Sequence, residues 1–461
     1  MQDFPLEALE KLEKRPCLHF IGIGGVHMSA IAELLFRRGF PTSGNDRDES
    51  DNVRHLREVG VNVMIGHKAE YVENADIVVR NAAIHDSSPD IVRARELGLP
   101  IYERQEVLGA LMRGAKKRIC IAGTHGKSTT TAMCARIASD AKTDPTVFCG
   151  AKIPETGVAY RFGGNDLFIA ESCEYCDAFL SFYPTHAVIL NVEPDHLDYF
   201  SGIDQIRDSF RRFASLVPED GVVVANGDDT AIRHFLKDVG RTVVTVGWKT
   251  RNEYYPDACV QKNGCYAFDV IHHGRKEAHI ELSVPGRHNI TNAMAAYAVS
   301  RACGMDAEGI ALSLSRFAGT KRRFEKIGSF DGVDVIDDFA HHPTELAATL
   351  AAAKGLPYDR VICVYQPHTY TRTEALYRDF AEALKAADTV LLAPIYAARE
   401  INEHNISSAL IGDLVEGAES LASFEEIEER VREISRPGDL VLTVGAGDVY
   451  KIGERLVRDE K

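Results

Sequence analysis

Arg118-Ile119-Cys120-Ile121-Ala122-Gly123-Thr124-His125-Gly126-Lys127-Ser128-Thr129-Thr130-Thr131 decides how the rest of the chain is read. Its first five residues form a short apolar run that ends on glycine, the pattern of a buried strand, and from Lys127 onward the residues enter a helix. A strand that delivers a Gly-bounded loop with Gly-Lys-Ser to a helix start is a phosphate cradle. Backbone N–H groups and the helix dipole meet the anion, the lysine neutralises transferring charge, and the serine hydroxyl can ligate Mg²⁺. The loop is two residues shorter than the common form of this motif, a contraction that narrows the choice of family.

Two strand-like runs follow the cradle. Residues 167–170 lead into Glu171, with Glu174 behind it, and residues 187–192 lead into Glu193-Pro194-Asp195-His196-Leu197-Asp198. Both fit buried parallel strands, and α/β sheets place ligands at the carboxyl ends of such strands. Glu171 and His196 are therefore expected at the nucleotide. Mg²⁺ prefers oxygen ligands, so Glu171 with Ser128 suits one ion, while His196 would be an unusual nitrogen donor to a second. Residues 285–296 read as a loop entering an Ala-rich helix that Asn289 or Thr291 could cap.

Towards the N-terminus, residues 18–23 form a strand-like run, followed by Gly24-Gly25 and a helical pattern through Met28, Ile31, Leu34 and Leu35. Two readings stand here: a diphosphate held by backbone N–H groups at the helix start, or a tight turn and nothing more. His27 occupies the place of the third glycine of a nicotinamide fingerprint. A second strand should end near Asp46, further strands fall at 61–65, 77–79 and 100–102, and residues 108–117 read as the exit into a linker. Beyond a hinge at 317–324, strands are expected at 333–336, 361–365, 389–394 and 440–444. Polar clusters again follow their ends. The fold class is α/β, with a parallel sheet in each of three domains at 1–114, 115–320 and 321–461.

Composition agrees. A chain of 461 residues, 45% hydrophobic and 26% charged, exceeds what one core serves. A net charge of −15 argues against broad nucleic-acid or anionic-membrane binding. No run of 18 apolar residues occurs and residues 1–16 lack an export-signal pattern, so a cytoplasmic location is expected. The ten cysteines read as reduced core residues. Cys173 and Cys176 form a lone C-x-x-C with no second pair, a poor case for a metal or redox site.

The strings GIGGVHMSAIAELL (22–35), AGTHGKSTTTAM (122–133), NVEPDHLD (191–198), PGRHNITNAMAA (285–296), DDFAHHPTE (337–345) and QPHTYTRT (366–373) resemble the Mur ligases, in order and over essentially the whole chain. The resemblance implies a Rossmann-like first domain that binds UDP-N-acetylmuramate, a central P-loop ATPase-like domain that binds ATP, and a Rossmann-like third domain that encloses the nucleotide and the incoming amino acid. It implies an ATP- and Mg²⁺-dependent ligase of peptidoglycan precursor synthesis, a monomer or homodimer, whose partners are small molecules: the UDP-sugar and L-alanine.

By the same resemblance, Gly24, Gly25, His27, Met28 and Ser29 form the UDP-sugar loop, and Gly123, Thr124, His125, Gly126, Lys127, Ser128 and Thr129 hold the phosphates. His288 and Asn292 correspond to adenine-side contacts and Asp338 to a ribose contact. Lys127, Arg323, His341 and Arg372 are the catalytic set, and Ser128, Glu171 and His196 the metal ligands. Some relatives carry arginine at the position of Thr369 and aspartates at those of Cys173 and Cys176, so no role passes to these three. Several later ligases of the pathway use a carbamylated lysine, and no lysine lies between Lys152 and Lys237 here, which favours the alanine-adding branch. A relative that attaches a whole tripeptide is the nearest rival. It usually carries a D-K-R-S-K-F-like string where this chain has Leu180-Ser181-Phe182-Tyr183-Pro184. A nicotinamide dehydrogenase would leave the phosphate loop idle, and a nucleotide switch would need neither outer domain.

Overall fold

The computed structural model describes residues 3–153, 156–197, 199–398 and 400–458. Three sheets follow one another along the chain. The first contains β1 (Leu18–Ile21), β2 (Thr42–Asp46), β3 (Asn62–Ile65), β4 (Ile77–Arg80) and β5 (Ile101–Glu103), all parallel, in the order β3-β2-β1-β4-β5. The order reverses at β1, so the crevice at the carboxyl ends of β1 and β4 is where this topology places a ligand. The Gly24-Gly25 turn and the helix Val26–Arg37 start there.

The central sheet has ten strands: β6 (Lys117–Ala122), β7 (Thr146–Phe148), β8 (Tyr160–Arg161), β9 (Leu167–Glu171), β10 (His186–Ile189), β11 (Val222–Asn226), β12 (Thr242–Val246), β13 (Tyr254–Lys262), β14 (Cys265–His272) and β15 (Arg275–Glu281). Strand β6 lies between β9 and β10 and pairs in parallel with both. The phosphate loop thus leaves the sheet at its switch point, flanked by the ends of the two strands that carry Glu171 and the Glu193 segment. All four residues of β10 are buried, as are the last four of β6 and the first four of β9. These strands read as apolar runs because helices cover both faces. The antiparallel meander β13–β15, which widens one edge, was not read from the sequence.

The third sheet, order β16-β17-β21-β18-β19-β20, contains β16 (Glu325–Phe330), β17 (Val333–Asp338), β18 (Val361–Tyr365), β19 (Thr389–Leu392), β20 (Glu419–Ser420) and β21 (Leu440–Val444). All pairings are parallel except β16 with β17.

Two expectations need correction. Residues 108–117 are not an extended linker: the helix Arg104–Arg113 continues through most of them and buries Val107, Leu108, Leu111 and Met112, and β6 begins at Lys117. Neither Asn289 nor Thr291 caps the helix His288–Ala302, because both lie inside it. Asn289 instead donates to Pro285 O at 2.7 Å.

The domain contacts differ in kind. One continuous apolar cluster runs from Phe20 and Leu35 through Leu108 and Leu111 to Phe148, Phe179 and Phe182, joining the first sheet to the central one. The third sheet has cores of its own and meets the central domain through polar groups, described below.

Candidate active site

Between the central and third domains lies a cavity of about 980 Å³, walled by His125, Thr129, Asn292, Arg323, Asp338 and Glu345 among others. The phosphate loop forms one side. Gly126 caps the helix Lys127–Asp140 with φ +81°, and a Cβ there would stand 2.5 Å from Asn292 Oδ1. Glycine is required twice over, by the left-handed backbone and by the approach of the His288–Ala302 helix. Asn191, just past β10, pins the loop: its Oδ1 accepts from His125 N at 2.7 Å and its Nδ2 donates to His125 O at 3.1 Å. The same stretch holds Thr124, whose hydroxyl accepts from Glu193 N at 2.9 Å.

Lys127 is largely buried. Its ammonium donates to Gly123 O at 2.5 Å, to Thr124 O at 3.1 Å and to Glu174 at 3.1 Å. Burial works against its charge, but Glu174, Cys173 and Glu171 outweigh it and raise the pKa, so the cation is permanent. The hydroxyls of Thr130 and Thr131, one turn into the helix, are buried without a partner. Glu171 ends β9 and accepts from Gly150 N at 2.7 Å. A Cβ on Gly150 would come within 2.6 Å of that carboxylate. Ser128 is buried at the helix start, and its backbone carbonyl accepts from Cys149 Sγ at 3.4 Å, so the Cys149–Gly150 turn packs on the helix start as well as on the Glu171 carboxylate. His196 adopts φ +52°, in the left-handed region that non-glycine residues enter uncommonly, and its Nε2 lies 3.7 Å from Asp195 and 4.0 Å from Glu174. Asp198, last of the expected acidic string, lies outside the described residues.

The third domain brings its groups to the same cavity. Asp338 ends β17 and accepts from Phe324 N at 2.7 Å, Ala340 N at 2.9 Å and Thr349 Oγ1 at 3.0 Å. Burial pushes its pKa up to about 6. Glu345 sits among His341, His125 and Arg323, at 3.2, 3.3 and 3.7 Å. Burial opposes its charge, but the cationic His125 and Arg323 hold it well below the usual carboxylate range. Burial lowers His341 to about 3, so its ring is neutral. Arg372 Nη2 lies 2.8 Å from Asp195 Oδ1, and Arg372 Nη1 is 3.1 Å from His368. Across the boundary Thr344 Oγ1 donates to Glu193 at 2.7 Å. His125 is held from both sides, 3.3 Å from Glu345 and 3.6 Å from Glu193, and although burial disfavours its charge these carboxylates raise it to about 9. His288 is exposed to the cavity.

The first-domain loop is more mixed. His27 Nε2 reaches Cys149 O at 3.1 Å and its Nδ1 faces Arg104 at 2.8 Å. Burial and Arg104 lower it to about 4. This residue therefore ties the first domain to the turn beside Glu171. The Gly24 amide is taken by Asp46 Oδ2 at 2.8 Å; Gly25 caps the helix. The Met28 side chain lies in the core, and Ser29 Oγ donates to Val26 O at 3.0 Å, so both build the helix start and do not face the crevice as side chains. Arg104, Asn191, Glu193 and Glu345 were not singled out as site residues by sequence reasoning. The position of Glu193 directly after a buried strand was the one signal available for it.

Three family models match in sequence order: the Mur ligase family catalytic domain over residues 18–116, the Mur ligase middle domain over 121–300, and the Mur ligase glutamate ligase domain over 322–447. A UDP-N-acetylmuramate--L-alanine ligase of Caldanaerobacter subterraneus is 45% identical over 98% of this chain and 99% of its own length. The chain belongs to the Mur ligase family. A second relative of that name, from Clostridium novyi, is 43% identical over 95% of this chain and 96% of its own. Among solved structures, the UDP-N-acetylmuramate-alanine ligase MurC of Thermotoga maritima superposes on this Mur ligase with a TM-score of 0.84, covering 97% of this chain and 99% of that one at 28% identity. A murein peptide ligase from Psychrobacter arcticus, 24% identical with a TM-score of 0.73, covers 96% of this chain and 98% of its own and shares the fold. The ten cysteines are all free. Five are buried, but Cys259 is exposed, so the expectation of core cysteines holds only in part. Among the described residues no helix is long and apolar enough to cross a membrane.

Proposed function

We propose that this Mur ligase joins L-alanine to the lactyl carboxylate of UDP-N-acetylmuramate at the expense of ATP, in the synthesis of peptidoglycan precursors. The observation that carries the reading is the 45% identity, near full length on both sides, to a ligase of that name. The placement of the phosphate loop on the wall of the interdomain cavity supports it. The first domain, to about residue 114, would take the UDP-sugar, the central one, to about 320, the nucleotide, and the third the amino acid.

A carboxylate is a poor acyl donor, so phosphorylation supplies the leaving group. A carboxylate oxygen attacks the γ-phosphorus and the bond to the bridging oxygen of ADP breaks. The alanine amine then attacks the acyl carbon and loses a proton, and inorganic phosphate departs to leave the amide. Both steps demand alignment and charge neutralisation more than bond-making by the protein. Lys127, permanently cationic, is placed to neutralise the transferring phosphoryl group. Gly126, Thr129, His288, Asn292 and Asp338 line the space for the nucleotide. Arg323 approaches from the hinge, while Arg372, fixed by Asp195, and the neutral His341 belong to the side where the amino acid and reacting carboxylate meet.

The donor set near the loop fits a hard divalent cation. Glu171 spends one lone pair on Gly150 N and keeps the rest, and Ser128 lies in the first turn of the helix that the phosphate loop enters. Ser128 and Glu171 would hold one Mg²⁺ and His196 a second, and a cation bound there would neutralise phosphate charge. Incubation with ATP, Mg²⁺, UDP-N-acetylmuramate, an amino-acid mixture and the tripeptide, followed by mass determination, tests the reading. The expected product carries one added alanine. A tripeptide adduct, or ATP turnover indifferent to the UDP-sugar, would overturn it.

A further inference from the structure

His125, Glu193 and His342 converge where the phosphate loop meets the third domain, each offering one donor atom, all within 4.8 Å of one another. His125 Nε2 is 3.6 Å and His342 Nδ1 is 3.8 Å from the same Glu193 oxygen. Both ring nitrogens of His125 are buried without an aligned hydrogen bond. These separations are long for hydrogen bonds but close to the edge of a coordination polyhedron: a tetrahedron with ligand bonds of about 2.1 Å has edges of about 3.4 Å.

The surroundings match the supporting shell such a centre needs. A metal-bound histidine directs its other ring nitrogen at a carboxylate or carbonyl, which fixes tautomer and orientation. The remaining nitrogen of His125 faces Glu345 at 3.3 Å, and that of His342 faces Pro194 O at 3.3 Å. Two contacts compete. The 3.4 Å bond from Thr344 N to His342 Nδ1 would be given up, whereas the Thr344 hydroxyl on Glu193 can remain, since a carboxylate oxygen has two lone pairs.

We propose that these three residues form a site for a late first-row divalent cation of the zinc class, with a fourth position open to the cavity that His125 and Glu193 line. Two imidazoles and one carboxylate select such an ion over Mg²⁺, which favours oxygen ligands. Binding displaces the proton on His125. His125 and Glu193 belong to the central domain and His342 to the third, so the site is complete only when the two are docked. Occupation fastens them together and slows any turnover that requires opening. The site itself does not depend on the ligase reading.

Cobalt(II) serves as the probe, titrated into the full-length protein in excess Mg²⁺. Wild type should develop the visible d–d bands of four-coordinate cobalt at one equivalent, and zinc should bleach them. His342→Ala and Glu193→Gln should each weaken cobalt binding at least tenfold, with folding checked by circular dichroism. Glu253→Gln serves as the control, because Glu253, His272 and His273 form the other group with ligand-like spacing among the described residues. That variant should keep the bands. Their absence in wild type, their persistence in both site variants, or their loss in Glu253→Gln would overturn the site. At zinc concentrations that saturate it, kcat should fall at least tenfold, and an unchanged kcat would overturn the fastening.

Discussion

The Lys127 ammonium lies 3.1 Å from Glu174 Oε2, and the two side chains are 13% and 3% exposed. The pair does two jobs: it stores the cation where a phosphoryl group will need it, and it offsets the cost of burying that cation. Removing one partner should therefore damage stability as well as chemistry, since breaking a buried pair costs about 3–5 kcal/mol. Lys127→Met is expected to abolish ligation, with a loss of about 3 kcal/mol or more in transition-state stabilisation, and also to lower the denaturant midpoint. The double variant Lys127→Met/Glu174→Gln should recover most of the midpoint and none of the activity. Recovery of neither would mean that the pair does not carry the stability assigned to it.

Gly126→Ala places a methyl group in a left-handed residue, at a cost of about 1–2 kcal/mol, and drives it towards Asn292 Oδ1. The loop must shift, and with it the amides facing the phosphates. The KM for ATP should rise at least tenfold while the KM for L-alanine stays within about twofold. Equal changes in both would place the loop away from the nucleotide.

Glu171 and Gly150 should give one phenotype from two substitutions. Glu171→Gln weakens a carboxylate ligand, and Gly150→Ala pushes the same carboxylate aside, because the new Cβ would come within 2.6 Å of it. Each is expected to raise the Mg²⁺ concentration for half-maximal turnover several-fold at fixed ATP. A normal Mg²⁺ response in both would remove Glu171 from the metal site.

The strands β1, β6, β9, β10, β17, β18 and β21 were legible because each is an apolar run ending in glycine or polar residues, and the phosphate loop because its chemistry is local. What stayed hidden was set by distant contacts. Nothing near Glu345 in the sequence says that it will face His125 of another domain, and nothing near Arg104 says that it will meet His27. The β13–β15 meander was missed because polar residues such as Asp257, Lys262 and Arg275 interrupt its strands, and much of β13 and β15 is exposed. Residues 108–117 were misread because Gly109 and Gly114 look like linker punctuation, whereas Gly109 lies inside a packed helix.

Acid should destabilise the protein before ordinary carboxylates titrate. Burial lowers His27 and His186 to about 4, against about 6.5 when unfolded. The folded state refuses protons that the unfolded chain accepts, so their contribution is complete above pH 6.5 and is lost as pH falls towards 4. Asp338, raised to about 6, works in the opposite sense together with Asp337, which burial also raises, while His288 and His341, lowered by burial to about 4 and about 3, act with His27 and His186. Thermal midpoints should drop between pH 6.5 and 4.5, and His186→Asn should flatten that slope. A slope unchanged by this substitution would assign the acid lability to other groups.

Thr344 Oγ1 donates to Glu193 across the boundary between the central and third domains, and Thr344 is exposed enough for substitution without repacking a core. Thr344→Val keeps the shape and deletes one hydrogen bond to a charged acceptor, a change of about 1.5–3 kcal/mol at most, reduced here by partial exposure. If closure of the third domain is what completes the cavity, the loss should appear as a smaller closed population: kcat/KM for ATP falls between about threefold and thirtyfold, and the radius of gyration in solution rises. The denaturant midpoint of the central domain should stay put, because its core does not include this contact. A fall in that midpoint with no change in compactness would mean that the hydroxyl supports the Glu193 segment and not the docking of the third domain.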